Sequence, residues 1–138
     1  MSTNIKIKEI KEMFMIFDDP MDKYMQIIEL GKKNIGINEK DKNDKNRIYG
    51  CTSLAWVKVI KNNDKYNIEI DSDTFIVKGL LSILKYIIDN STEDEINQID
   101  INSILSDIGL KNSITSQRTN GFLNAINKIK KQIKEYNV

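Results

Sequence analysis

The chain has no histidine among its 138 residues. Serine–histidine–aspartate and cysteine–histidine catalysis both need an imidazole base, so both are excluded. Zinc sites built on cysteine and histidine within one chain are excluded as well. Cysteine occurs once, at Cys51. No internal disulfide can form, which agrees with a reducing compartment. The glycine-rich dinucleotide and P-loop motifs and the CxxC motif are missing from the sequence. One proline and six glycines leave little room for a linker or a disordered tail.

A charge excess is lacking too. Twenty-one basic and 20 acidic residues leave a formal net charge of +1. No strong field for nucleic acid or an anionic membrane follows from that balance. A membrane helix needs roughly 18 apolar residues or more. The longest apolar run, Phe75 to Ile88, is interrupted by Lys78, Ser82 and Lys85. The stretch Met1-Ser2-Thr3-Asn4-Ile5-Lys6 lacks the apolar centre of a signal peptide. A cytoplasmic location is therefore expected. The hydrophobic fraction of 40% and charged fraction of 30% match a soluble globular protein. The length suits a single domain, 1–138, with one core.

The patterns that are present predict an α+β fold. Ile7, Ile10, Phe14 and Phe17 share one face of a helix from about Ile5 to Phe17. Asp19 and Pro20 then suit the cap and first position of a second helix. Met21, Tyr24, Met25, Ile27 and Ile28 give that helix an apolar side to about Asn34. Asn38 to Arg47 reads as a solvated loop of mixed charge. Ser53 to Ile60 and the alternating Tyr66-Asn67-Ile68-Glu69-Ile70-Asp71 read as strands of an antiparallel hairpin. A helix from about Thr74 to Asp89 is apolar nearly all round and belongs at the centre of the core. Gly79 inside it points to close packing against another element. Short helices follow up to Gly109. After a loop at Ser113 to Gln117, Ser116 caps a last helix to about Tyr136, with Phe122, Ile126, Ile129 and Ile133 in one stripe.

Four groups of residues are chemical candidates. Cys51, preceded by Gly50 and followed by a strand, is either a small buried hydrophobe or a reactive thiol. Arg118, near the start of the last helix, is either a surface arginine or a fixed positive charge that favours a thiolate. Trp56 reads as core packing on a strand. Asp71 and Asp73 suit a turn and helix cap better than an acid–base pair.

Four blocks in order resemble the SufE family of sulfur-acceptor proteins. The first is Phe17-Asp18-Asp19 with Tyr24 and Leu30-Gly31-Lys32. The second is Asn46-Arg47-Ile48-Tyr49-Gly50-Cys51-Thr52-Ser53-Leu54-Ala55-Trp56. The third is Asp71-Ser72-Asp73 with Ile76-Val77-Lys78-Gly79-Leu80. The fourth is Ser116-Gln117-Arg118-Thr119-Asn120-Gly121-Phe122. Lys23 and Ala55 depart from the pattern, as does the lack of a proline in the helix before the charged loop.

The resemblance implies the fold shared by SufE and IscU-type proteins, a small antiparallel sheet packed by several helices. It implies that Cys51 accepts sulfur from the persulfide of a cysteine desulfurase of the SufS or CsdA kind, stimulates that enzyme and passes the sulfur to an iron–sulfur assembly complex of the SufBCD kind. In that reading the chain is an accessory sulfur carrier rather than a free-standing enzyme. It holds no metal or cofactor of its own, since the pyridoxal phosphate belongs to the desulfurase. Arg118 is then a support for the anion or for the docked partner. Two other readings stay open. One is an IscU-like cluster scaffold, although a cluster normally takes four ligands, mostly cysteines. The other is a regulatory module that binds a desulfurase without carrying sulfur.

Overall fold

The computed structural model describes residues 3–50 and 53–138. Cys51 and Thr52 lie outside the described residues. The elements run α1 (Thr3–Met15), α2 (Pro20–Lys33), a 3-10 turn (Glu39–Asp41), β1 (Ala55–Asn62), β2 (Lys65–Ser72), α3 (Phe75–Ile88), β3 (Ser91–Thr92), α4 (Glu93–Asn97), α5 (Ile104–Asp107) and α6 (Ser116–Tyr136). The strands form one antiparallel sheet in the order β1-β2-β3. This is the α+β fold expected from the pattern of elements.

The hairpin turns at Asn63-Asp64, where Asn63 adopts φ 59°. Asparagine tolerates that left-handed region better than most residues. Register follows from alternation. Ala55, Val57 and Val59 pair with Ser72, Ile70 and Ile68, and these apolar residues are buried. The inner face packs on α3 and α6. Along α6, Phe122, Ile126, Ile129 and Ile133 are all buried, the stripe the 3.6-residue period predicts.

α2 lies close against α3. A Cβ on Gly79 would overlap the Ile27 carbonyl, and one on Gly31 would overlap the Phe75 carbonyl. The two glycines therefore let the helix backbones meet directly. This arrangement corrects the expected apolar side of α2. Ile27 and Gly31 are its buried residues, while Met21 and Met25 are exposed. A glycine seam needs less apolar surface than a side-chain seam, so the two methionines are left outside.

Two details also differ, the cap of α6 and a short strand at Ser91-Thr92. Thr115, not Ser116, caps α6 by accepting the Arg118 amide at 3.3 Å. The residues at the start of α4 form a capping box between Thr92 and Glu95. Ser91 and Thr92 add a third strand against Tyr66 and Lys65, too short for any alternation to announce it.

The segment from Asn38 to Arg47 is not a free solvated loop. It lies over the outer face of the hairpin. Lys42 reaches Asp71 at 3.4 Å and Asp41 reaches Lys58 at 3.2 Å. Asn46 within it is buried. Trp56 belongs to the same outer face, as the register partner of Asp71. It is half-buried rather than in the core, with the Lys42 ammonium 5.4 Å from its ring centroid.

Candidate functional site

Cys51 belongs in sequence to a short loop whose two feet are well defined. Val57 donates its amide to the Asn46 carbonyl at 2.9 Å, and Ile48 donates to the Ala55 carbonyl at 2.8 Å. Arg47 bridges antiparallel to Trp56 between them. Residues 46–48 thus add a strand-like edge to β1. The alternation that buries Ala55 also buries Ile48, which is 3% exposed.

The first foot is held from α6. Gln132, buried among apolar neighbours, donates its amide to the Val57 carbonyl at 3.1 Å and to the Asn46 side-chain oxygen at 3.4 Å. Its own oxygen accepts the Val59 amide at 2.8 Å. One side chain therefore satisfies groups on β1 and on the edge strand, as burial of polar atoms demands. Asn46 in turn donates to the Asp41 carbonyl at 3.0 Å.

The second foot is held by the turn between β2 and α3. Leu54 donates its amide to the Asp73 carboxylate at 3.0 Å. Its carbonyl accepts the Ser72 hydroxyl at 2.7 Å and the Asp73 amide at 3.1 Å. Ser53 and Thr74 share a hydroxyl hydrogen bond of 3.0 Å. Asp73 is thus a turn residue that anchors the loop. Thr74 is the N-cap of α3 by backbone position, but its side chain makes no capping bond.

Asp71 is also structural. Its carboxylate accepts the amides of Ile37 at 3.0 Å and Ser72 at 2.8 Å. Lys42 and Lys78 each stand 3.4 Å away. Burial pushes this carboxyl up, but the two amides and two ammonium groups outweigh it and hold it below the usual range. A Cβ on Gly36, at φ +82°, would collide with the same carboxylate.

Between the feet, Tyr49 is exposed, with the Arg47 guanidinium 5.1 Å from its ring centroid. Gly50 has φ +86°, a conformation glycine adopts without strain. The Tyr49 carbonyl accepts the Asn124 side-chain amide at 3.0 Å.

Arg118 lies on the first turn of α6 and is half-buried rather than free in solvent. Its guanidinium stands 5.9 Å from the ring centroid of Tyr24 on α2. Its stem borders a small apolar pocket with Ile48, Ala55, Leu81, Gly121 and Phe122. Arg118 is therefore next to both feet of the loop at Ile48 and Ala55. Asn46, Asn124 and Gln132 also hold this region. Asn46 was visible in the sequence as part of the cysteine block. The two α6 residues carried no signal, because their partners, mostly backbone atoms, lie more than 70 residues away.

The comparisons agree with this architecture. A solution structure of a hypothetical protein from Thermus thermophilus superposes with a TM-score of 0.77 over 94% of each chain, at 15% identity, and so shares the fold. An uncharacterized SufE-like protein of Rhizobium etli is 33% identical over 132 residues, covering 93% of this chain and 89% of that protein. A second, from Rhizobium meliloti, is 32% identical over 130 residues, covering 91% and 93%. The family model described as "SufE: Fe-S metabolism associated domain" matches residues 8–133, from the first turns of α1 almost to the end of α6, and the chain belongs to the SufE family.

Proposed function

We propose that this protein is a sulfur carrier in iron–sulfur metabolism, with Cys51 as the residue that holds the sulfur. The observation that carries the proposal is the match of the SufE family over residues 8–133 in a chain with one cysteine. A role in iron–sulfur metabolism follows from the family. The chemistry follows from the residue.

The Cys51 thiolate attacks the terminal sulfur of a persulfide on a cysteine desulfurase. A new sulfur–sulfur bond forms on Cys51, the bond to the desulfurase cysteine breaks, and that cysteine leaves as a thiolate. Two thiolate–disulfide-type partners exchange with no net oxidation. No imidazole base is required, which suits a chain without histidine. The difficult carbon–sulfur cleavage stays with the desulfurase and its pyridoxal phosphate. An assembly complex for iron–sulfur clusters is the proposed acceptor, and the cytoplasm the proposed location. Among the described residues no helix is long and apolar enough to cross a membrane.

Two features support the reading. The described residues on either side of Cys51 are held by hydrogen bonds, Ile48 to Ala55 and Leu54 to Ser72 and Asp73. Arg118, a permanent cation, borders the residues from which the loop rises.

The test is an intact mass after incubation with a cysteine desulfurase and free cysteine. The protein should gain sulfur in increments that a reductant removes. Cys51→Ser, close in size, should keep the fold and gain none. Sulfur retained by Cys51→Ser, or none gained by the unaltered protein with an active desulfurase, sinks the carrier reading.

A further inference from the structure

α6 does more than bury its apolar stripe. Asn124 is half-buried on its side toward the cysteine loop, and its Nδ2 donates to the Tyr49 carbonyl at 3.0 Å. The acceptor is the peptide that joins Tyr49 to Gly50, next in sequence to Cys51. Gly50 provides a second, independent sign of this contact. A Cβ placed there would overlap Asn124 Nδ2. The backbone at Gly50, at φ +86°, therefore has the conformation and the bareness needed to sit under that amide.

Among the described residues, the other hydrogen bonds on either side of Cys51 lie at Ile48, Ser53 and Leu54. Ile48 pairs with Ala55, and Ser53 and Leu54 are tied to Asp73 and Thr74. Asn124 acts beyond them, at Tyr49. The bond is open to solvent and joins one side chain to one carbonyl.

We infer that Asn124 is a positioning residue that latches the Tyr49–Gly50 peptide, the backbone next in sequence to Cys51. Its role in sulfur uptake rests on the carrier reading above; its role as a latch does not. An oriented nucleophile reacts faster than one that samples many poses. The latch thus acts on the rate of transfer once the desulfurase is bound, not on recognition of the desulfurase.

Two variants separate the hydrogen bond from simple bulk. Asn124→Leu keeps the branched shape and loses the donor. Asn124→Ala loses both. Hydrogen exchange of the free protein over residues 48–54 should quicken by about two- to tenfold in both variants, the range one solvent-exposed hydrogen bond supports. Exchange along the rest of α6 and the thermal midpoint should stay unchanged. Sulfur uptake at saturating desulfurase should slow by a similar factor, with the half-saturating desulfurase concentration unchanged. Unchanged exchange in both variants overturns the latch, as does faster exchange in Asn124→Ala alone, which marks Asn124 as packing. Because exchange is read on the free protein, a failure of sulfur uptake in the unaltered chain leaves the latch test intact.

Discussion

Asp71 accepts the backbone amide of Ile37 at 3.0 Å, across 34 residues of chain. This bond fastens the segment after α2 to the end of β2. The same oxygen faces Lys42, and the other oxygen faces Lys78 and the Ser72 amide. An aspartate that looks in sequence like half of a carboxylate pair is instead a junction for four elements of backbone and charge. Its anion is spoken for, which leaves it no proton to move near neutral pH.

Asp71→Asn should therefore destabilise the fold by about 1–3 kcal/mol at pH 7, the range for disrupting a buried, charge-assisted set of bonds. The direction with pH is set by the depressed carboxyl. A carboxylate held lower in the folded than in the unfolded chain stabilises the fold fully above the unfolded value of about 3.9. That stability is lost as pH falls through the folded value. The gap between the parent and Asp71→Asn should thus be constant from about pH 7 to 5 and close below about pH 4. Urea unfolding at several pH values measures it. A gap that widens in acid would contradict the assignment.

Gly79→Ala should also destabilise the fold, although alanine favours helix by about 1 kcal/mol over glycine. The added methyl meets the Ile27 carbonyl and the Ile27 side chain, neither of which can leave without parting α2 from α3. Overpacking of this kind costs about 1–3 kcal/mol. The urea midpoint should fall with the slope unchanged. A rise in midpoint would mean that the helices separate at little cost.

Gly79 also shows what was legible in the sequence. A glycine in the middle of a strongly apolar helix conflicts with propensity, and close packing resolves the conflict. The hairpin and the stripe on α6 were legible for a similar reason, since alternation and the 3.6-residue period leave little choice of buried face. The outer face of the hairpin was not. Trp56 looks like core by residue type, yet it lies opposite Asp71 under the Lys42 chain. A segment rich in charges reads as solvated unless its partners are known, and Asp71 and Lys58 are far along the chain. The site divides in the same way. The cysteine block and Arg118 were read from local motifs. The contacts of Asn124 and Gln132 are mostly to backbone atoms far along the chain, which any sequence supplies and none announces.

Arg118 combines a legible motif with contacts that no motif announces. Its guanidinium stands over Tyr24, and its stem lines the pocket beside Ile48 and Phe122. A half-exposed cation–π contact contributes about 0.5–1 kcal/mol, and the stem adds some apolar cover. Arg118→Ala should lower stability by about 1 kcal/mol. If the charge also supports the sulfur anion or the docked desulfurase, uptake of sulfur should fall several-fold more than this small loss of stability explains. Arg118→Lys separates the causes. It keeps the charge but not the planar face that meets Tyr24. Rates restored by lysine would assign the effect to charge, and rates lowered equally in both variants would assign it to the stacked guanidinium. Sulfur uptake and desulfurase stimulation that stay at the parent level in Arg118→Ala would leave this arginine with its structural contact to Tyr24 alone.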